Sequence, residues 1–394
     1  MNLRPNLGSI CLLFLSVLCV SESADFNVVD HGATPDGIKD STEAFVNTWK
    51  EACASEGSTT FVIPQGSFLV GQVNFKGPCK GNMNVLVQGN VKADPDPAKF
   101  PSSNWIVFEH MTGLQVSGGG VFDGQGSIAW TKNDCSKTGK CHSLPINIRF
   151  NFIENAFITH ITSLNSKLMH ININGCKNIT LQSVKVTAPG NSLNTDGIHI
   201  GSSKGVNITD SVIATGDDCV SMGPGSVDIK VTGVTCGPGH GISVGSLGKY
   251  PNEESVSGIT VRNCTLIGTS NGVRIKTWPK SPVSAASGFI FEDIVMDNVQ
   301  NPIIIDQVYC PYVSCSQDNP SKVKISNVSF NKIRGTSATK NAVSIVCSKG
   351  VPCEDVKIGD IDLKYTGKDG PAASLCNFAK PILTGVQNPP IAIN

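Results

Sequence analysis

The feature that most constrains the fold of this chain is an internal repeat. Apolar or small residues recur at offsets 0, +2, +5 and +7 in seven copies, which begin 23 to 34 residues apart. Offsets 0 and +2 have the period of a half-buried strand, and the extra residue before +5 indicates a corner between two strands. The copies begin at Ile179, Val206, Ile229, Ile259, Phe289, Val323 and Val356. A four-point register kept over seven units predicts a solenoid and disfavours a β-sandwich.

A second pattern follows the copies of the repeat. Six segments fit one template, in which a polar residue precedes a short strand, and they open at Asp196, Asp218, His240, Asn271, Asn301 and Asn341. Equivalent residues of successive parallel coils lie about 4.8 Å apart. We therefore expect Asp196, Asp218 and His240 to stack along one face, with Asp217 beside them. Arg274 and Lys276 should project from the next rung.

These patterns predict an all-β fold, a single-domain right-handed parallel β-helix. The segment Asp40-Ser-Thr-Glu43, followed by apolar residues such as Phe45 and Trp49, indicates a capping box at the start of an amphipathic helix. This helix is expected to cover the N-terminal end of the solenoid, because an open end exposes unpaired strand edges. The repeats run nearly to the end without a linker, so residues 24–394 are predicted to form one domain.

The first residues have the pattern of a secretory signal peptide. Arg4 precedes an apolar segment over 10–20, and small residues follow at 21–24. No later segment approaches 18 consecutive apolar residues. We predict that residues 1–23 are removed and that the mature protein is secreted.

The cysteine content agrees with an oxidising compartment. Of the 15 cysteines, Cys11 and Cys19 lie in the predicted signal peptide. The others are more than a reducing cytosol usually tolerates, which indicates disulfides, and their odd number leaves at least one thiol unpaired. Four glycosylation sequons predict a glycoprotein once secretion is granted. They begin at Asn178, Asn207, Asn263 and Asn327.

The charge balance limits the partners of the chain. Its formal net charge is zero, which gives no global attraction to nucleic acid or to a membrane. A polyanionic partner must therefore be held by local basic groups.

The polar column favours acid–base chemistry. At an effective dielectric near 20, two carboxylates about 5 Å apart repel by about 3 kcal/mol, so one carboxyl of the cluster should hold a proton at mildly acidic pH. Glycoside hydrolysis requires one protonated acid and one ionised carboxylate. Each motif alone also fits a plainer structure: a turn aspartate at Asp196, a loop or calcium site at Gly216-Asp-Asp-Cys219, and a tight turn at Gly239-His-Gly241. Their coincidence on one column favours a catalytic cluster.

Four motifs resemble those of the polygalacturonase family, glycoside hydrolase family 28, and especially its plant members. They are Asn194-Thr-Asp-Gly197, Gly216-Asp-Asp218, Gly239-His-Gly241 and Arg274-Ile-Lys276. The segments at 235–245 and 306–311 are similar to pollen-type exopolygalacturonases. The resemblance implies a cell-wall enzyme that acts on the pectic polysaccharide galacturonan without a metal or cofactor. We expect a monomer that binds neither nucleic acid nor a membrane.

The resemblance also implies the roles of individual residues in a hydrolysis that inverts the anomeric carbon. Asp217 would be the general acid, while Asp196 and Asp218 would position and deprotonate the water. His240 would tune the proton on the acid. A charged sugar suits bidentate recognition by arginine, and the expected substrate-binding residues are Arg274, Lys276, Asn194 and Tyr309.

Disulfide pairs follow partly from the resemblance and partly from short loops. The resemblance suggests a bridge between Cys219 and Cys236, and short loops favour the pairs Cys310–Cys315 and Cys347–Cys353, although sequence does not settle connectivity. Plant family members commonly end in a cysteine after the last prolines, whereas this chain ends Asn388-Pro-Pro-Ile-Ala-Ile-Asn394. Cys376 is therefore the expected unpaired thiol.

The alternative functions are a different mode of attack, a different reaction, or binding without catalysis. Exo attack, which releases galacturonate from a chain end, is predicted, and an endo-acting enzyme is the alternative, because loop shape decides between them. A pectate lyase shares the solenoid but eliminates with the help of calcium and an arginine base. A catalytically silent wall-binding protein is disfavoured, since a binder of a polyanion gains nothing from three stacked acids.

Overall fold

The computed structural model describes residues 24–133, 143–311 and 319–393. Within these ranges the chain forms 31 strands of one continuous sheet, wound into a solenoid. All the strand pairings of the described residues are parallel, each strand pairing with its equivalent one coil later. The predicted parallel β-helix is therefore confirmed. The predicted signal peptide lies outside the described residues.

The solenoid has three faces, and each coil contributes a strand or part of a strand to them. The first face consists of β1 (Ala24–Asn27), β3 (Thr59–Ile63), β6 (Met83–Val87), β9 (Gln115–Ser117), β11 (Ile146–Thr159), β14 (Lys177–Gln182), β17 (Lys204–Thr209), β20 (Val227–Thr232), β23 (Val256–Ile267), β25 (Ser284–Val299), β27 (Val323–Ser337), β29 (Glu354–Tyr365) and β31 (Ile382–Asn388). The second face consists of β2 (Asp36–Asp40), β4 (Ser67–Leu69), β7 (Asn90–Lys92), β10 (Val121–Asp123), β12 (Thr162–Leu164), β15 (Lys185–Thr187), β18 (Val212–Ala214) and β21 (Thr235–Cys236), and it continues in the later halves of the long strands.

The third face carries the polar column. It consists of β5 (Val73–Lys76), β8 (Asn104–Thr112), the first half of β11, β13 (Ile171–Asn174), β16 (Ile198–Gly201), β19 (Val220–Met222), β22 (Ile242–Leu247), β24 (Asn271–Thr277), β26 (Asn301–Asp306), β28 (Asn341–Val346) and β30 (Ala373–Asn377).

Inward side chains stack in columns along the solenoid axis and form its core. One column on the first face is buried from Phe61 to Ile358 and includes the stacked rings of Phe291 and Phe330, whose centroids are 5.1 Å apart. The corners between faces have residues in the left-handed conformation. One corner column contains only asparagine, aspartate and glycine, the residues that adopt this conformation at least cost. Its members are Asn155, Asn178, Gly205, Asp228, Gly258, Gly288, Asn327 and Asp355.

The register of the sixth repeat was predicted wrongly. Phe289 pairs with Val328 and not with Val323, so this copy begins five residues later than the sequence pattern suggested. Val323 and Ile325 precede the corner at Asn327, and Val328 and Phe330 follow it. The same apolar spacing flanks the corner at Asn327 and the next corner, at Lys332, which is why the pattern fitted one corner too early. The column also extends upstream to Phe61, in coils that the pattern missed.

Helix α1 (Thr42–Ala54) covers the N-terminal end, as predicted. Its Phe45 and Trp49 contact the inward ring of Phe61 at centroid distances of 5.9 and 5.7 Å. The predicted capping box is confirmed only in part. Asp40 accepts from the Thr42 N–H, but Ser41, at the N-cap, makes no side-chain cap bond. A short α2 (Ser127–Lys132) and a 3-10 turn (Pro97–Lys99) complete the described helices. None of the described helices is long and apolar enough to cross a membrane.

Three disulfides join described cysteines. Cys219–Cys236 and Cys347–Cys353 confirm two predicted pairs, and Cys53–Cys79 was not predicted. Cys315, in the predicted pair Cys310–Cys315, lies outside the described residues. Cys376 is free and buried, as expected. Cys176 and Cys264 are also free and buried, which was not predicted.

Candidate active site

Four neighbouring strands of the third face place the polar column. Ile198, Val220, Ile242 and Val273 pair in register from β16 to β24. Asp196, Asp218, His240 and Asn271 each lie two residues before these partners, on four successive rungs. The stacking that the template predicted is therefore present, and Asp217 lies beside Asp218.

Glycines let these rungs approach closely. A Cβ atom on Gly216, just before Asp217, would lie 1.9 Å from the Ser192 carbonyl oxygen. Gly241, just after His240, has φ of +85°, and a Cβ there would lie 2.1 Å from the Asn271 carbonyl oxygen. Any larger residue would push the rungs apart, which explains why both motifs contain glycine at these positions. The Cys219–Cys236 disulfide further ties the residue after Asp218 to the second face.

Asp218 is buried in a cage of donors. Its Oδ1 accepts from Arg274 Nη2 and from Ser243 Oγ, both at 2.9 Å, and its Oδ2 accepts from Lys276 Nζ at 2.7 Å. Burial alone would raise the pKa of Asp218, but the charges of Lys276 and Arg274 outweigh it and lower the pKa to about 2. Asp218 is thus ionised throughout the physiological range.

Arg274 and Lys276 are themselves almost fully buried, with 9% and 6% of their surface exposed. The sequence placed them beside the column but missed their contact with Asp218. The ring of Tyr309 lies over both cations, with its centroid 5.8 Å from the Arg274 guanidinium carbon and 5.2 Å from Lys276 Nζ. Tyr309 therefore helps to enclose the charged cage as well as to line the cleft above it.

Asp217 is more exposed to solvent than Asp218. Its Oδ1 lies 2.9 Å from His240 Nδ1, and Asn194 Nδ2 lies 3.5 Å from its Oδ2. The side chains of Asp217 and His240 are 17% and 43% exposed, against 1% for Asp218. Both border a cleft of about 460 Å³. Its lining residues are Gly190, Asn191, Leu193, Asn194, Gly216, Asp217, His240, Arg274, Tyr309 and Pro311.

Asp196 has the opposite protonation from Asp218. Burial, followed by the negative charges of Asp217 and Asp218, raises the pKa of Asp196 to about 8. Its Oδ2 accepts from Ser221 Oγ at 3.0 Å, and Ser221 Oγ lies 2.7 Å from His199 Nδ1. The sequence-based expectation that one carboxyl of the cluster holds a proton agrees with this shift of Asp196.

The geometry bears on the calcium alternative for the Gly216-Asp-Asp-Cys219 motif. Ligand atoms of Asp217, Asp218 and His240 lie within 4.8 Å of one another, close enough to hold a cation. However, both oxygens of Asp218 already accept from Arg274 and Lys276, whose positive charges would repel a metal ion. The arrangement therefore suits acid–base chemistry better than a metal site.

Three polar residues of the site escaped the sequence reasoning. Ser221 and Ser243 occupy the fourth template position, and each donates to the aspartate of the preceding rung. His199 occupies the same position one coil earlier. Their signal was present in the sequence, because the fourth template position points outward on the third face, like the opening aspartates.

Comparisons with known proteins agree with this architecture. A family model described as Glycosyl hydrolases family 28 matches residues 53–384. An exopolygalacturonase from Platanus acerifolia is 54% identical over 372 residues, which cover 94% of this chain and 98% of that relative. A polygalacturonase from Gossypium hirsutum is 50% identical over 389 residues, covering 99% and 95%. The solved structure of an exopolygalacturonase from Thermotoga maritima has a TM-score of 0.77 at 20% identity, over 94% of this chain and 93% of that one, and thus shares the fold.

Proposed function

We propose that this chain, which belongs to glycosyl hydrolases family 28, is an exo-acting polygalacturonase that hydrolyses α-1,4-linked galacturonan with inversion. The observation that carries this proposal is that the three aspartates differ in their environments. Asp217 borders the cleft, and the pKa values of Asp196 and Asp218 beside it are shifted in opposite directions. Carboxyls held in such different environments can take different parts in acid–base catalysis.

Asp217 is the general acid in this proposal. It is the aspartate that borders the cleft, so it can reach a glycosidic oxygen bound there. The hydrogen bond to Asp217 raises the pKa of His240, despite the opposing effect of burial. Below that pKa the imidazolium of His240 can give a proton to Asp217. Asp217 then donates this proton to the leaving oxygen, and a second proton from His240 can restore its acid form.

Asp196 and Asp218 activate the water. Asp218 stays ionised and is held rigidly by its cage, so it can orient a water by accepting one hydrogen bond. Once ionised, Asp196 is the stronger base of the two, because its raised pKa favours taking the proton from that water. The water then attacks the anomeric carbon directly, without a glycosyl-enzyme intermediate.

Arg274, Lys276 and Tyr309 bind the sugar on one side of the scissile bond. Arg274, Tyr309 and Asn194 all line the cleft. The guanidinium gives only some of its five donors to Asp218 and Ser243, so others remain for a galacturonate carboxylate.

The proposal also covers location and partner. The signal-peptide pattern and the three disulfides support secretion. Three of the four sequon asparagines, Asn178, Asn263 and Asn327, lie exposed at corners of the coil, where a glycan is sterically tolerated. We place the enzyme in the cell wall, where pectic polysaccharide is its substrate, and expect it to act as a monomer.

Product analysis tests the proposal. Purified enzyme acting on polygalacturonate should release monomeric galacturonate from the first minutes, with a slow fall in solution viscosity. Early mixed oligomers with a rapid loss of viscosity would instead identify the endo-acting alternative. Unsaturated products that absorb in the ultraviolet and disappear with a chelator would identify a lyase.

A further inference from the structure

We propose that Arg149, with Asn172 and His199, forms a second subsite that binds a substrate carboxylate, across the acid cluster from Arg274. This inference rests on the proposed function, because it names where a second sugar of the same galacturonan chain is held. It concerns residues that lie outside the four family motifs.

The sheet register places Arg149 on the same outward column as the site. Arg149, Asn172, His199, Ser221, Ser243 and Arg274 pair in sequence on the third face. Arg149 lies two rungs before His199, or about 10 Å. The column therefore has one arginine on each side of the rungs that carry Asp196 and Asp218. Galacturonan carries one carboxylate on each sugar, so a bound chain can present a carboxylate to each arginine.

Arg149 is pre-organised but has no anionic partner among the described residues. Its Nε donates to Asn151 Oδ1 at 2.8 Å and its Nη1 to Asn104 Oδ1 at 3.3 Å, both neutral oxygens. The neighbouring acid in the register, Glu109, is held by Asn74 and by Lys76. Burial lowers the pKa of Arg149, and no carboxylate offsets this effect.

An arginine that is partly desolvated and fixed by two amides is costly to keep without an anion. Among the described residues no acceptor contacts Nη2, and through this nitrogen the guanidinium can donate to a carboxylate. Arg274 differs from Arg149 because it is already paired with a carboxylate, that of Asp218, which offsets part of its positive charge. Arg149 is therefore the stronger of the two arginines as an anchor for a substrate anion.

Asn172 and His199 complete the subsite between Arg149 and the acid cluster. Asn172 is only 7% exposed, and its Oδ1 has no hydrogen-bond partner among the described residues. A bound sugar hydroxyl would satisfy this amide after a small rotation of the side chain. Burial lowers the pKa of His199 to about 4, so the imidazole is neutral and leaves Arg149 as the cation of this part of the column.

The first test measures steady-state kinetics of Arg149→Gln on trigalacturonate. We expect KM to rise at least tenfold with kcat within about threefold, because the guanidinium binds a sugar remote from the bond that breaks. Arg149→Lys should recover only part of the loss, since an ammonium keeps the charge without the planar donor pair. Arg262→Gln on the first face, where Arg262 pairs with Glu292, is the matched control and should leave KM unchanged.

The second test separates charge recognition from a packing effect. Trigalacturonates methyl-esterified at a single sugar are compared in the wild type and in Arg149→Gln. If Arg149 binds one carboxylate, the wild type discriminates against the ester at that sugar, and the variant loses the discrimination at that sugar alone. An active wild type whose KM and ester discrimination are unchanged in Arg149→Gln overturns the subsite. A wild type that releases no galacturonate overturns the proposed function instead.

Discussion

His240 is joined to Asp217 twice across one rung of the coil. Its backbone N–H donates to the Asp217 carbonyl oxygen at 2.7 Å, and its Nδ1 lies 2.9 Å from Oδ1 of the same residue. The two side chains therefore keep a fixed relative position while both border the cleft. A proton held by His240 is available to Asp217 without any rearrangement of the backbone.

Replacing Asp217 by Asn should remove nearly all turnover and leave the fold intact. The amide has a similar shape but cannot donate a proton to the leaving oxygen, so kcat on polygalacturonate should fall by about 100-fold or more. The matched control is Asp297→Asn, at an exposed position of the second face. If the variant is folded by circular dichroism and keeps more than about a tenth of the wild-type rate, Asp217 is not the acid.

Replacing Ser221 by Ala should lower kcat more than it changes KM. Ser221 donates to Asp196 and also contacts His199, so its loss leaves the base less well oriented toward the water. A hydrogen bond to a neutral group contributes about 0.5–1.5 kcal/mol, which corresponds to a fall in kcat of about two- to tenfold. Ser287→Ala, on the first face, is the control for a serine outside the site. Equal kcat values for the two variants would show that Ser221 has no part in positioning the base.

Replacing Asp196 by Asn should stabilise the protein, increasingly so as the pH rises. The pKa of Asp196 is about 8 in the folded state and about 3.9 in an unfolded chain. Between these values the folded state binds more protons, so Asp196 makes the wild type less stable as pH rises from about 4 to about 8. Asp218, whose pKa is lowered to about 2 in the folded state, stabilises the protein when ionised, and this stabilisation is lost only as pH falls toward that value. The wild type and Asp196→Asn share this contribution, so it does not affect their difference.

Thermal unfolding of the two proteins checks this prediction. The Tm of Asp196→Asn should be close to that of the wild type at pH 4 and exceed it by about 2 °C or more at pH 8. The variant should also be inactive, since it lacks the base. A difference in Tm that is the same at both pH values would mean that ionisation of Asp196 costs the folded state nothing.

Replacing Arg274 by Gln should weaken substrate binding and alter the acidic side of the rate profile. Loss of the guanidinium should raise KM for polygalacturonate about tenfold. It also removes a charge that lowers the pKa of Asp218, so activity should fail at a higher pH on the acidic side. Arg334→Gln, which breaks an exposed pair with Asp293, is the control. Fully methyl-esterified pectin should be a poor substrate of the wild type, and equal rates on both polymers would refute a carboxylate clamp.

The stereochemistry of the first product tests the roles of Asp196 and Asp218. If both face a water and not the sugar carbon, no covalent intermediate forms, and the α-linked bond yields a β-configured product first. Proton magnetic resonance of the anomeric signal in the first minutes, before mutarotation, distinguishes the two outcomes. An initial α-product would mean that one of the aspartates is a nucleophile.

The sequence alone determined the coil and the location of the site. The inward spacing and the corner residues are local, because each corner is formed by a few consecutive residues, and the template then placed Asp196, Asp218 and His240 on one column. Local pattern failed where the same spacing recurs, and it therefore set the sixth coil five residues early, at Val323 and not at Val328.

Only the tertiary structure decided how the charges are distributed within the site. Asp218 is separated by more than fifty residues from Arg274 and Lys276, yet both are hydrogen-bonded to it. The same holds for the proton on Asp196, whose pKa depends on burial and on two neighbouring carboxylates. The sequence names the charged groups, but a pKa depends on the distances between them and on the water excluded around them, and both are set only when the coils stack.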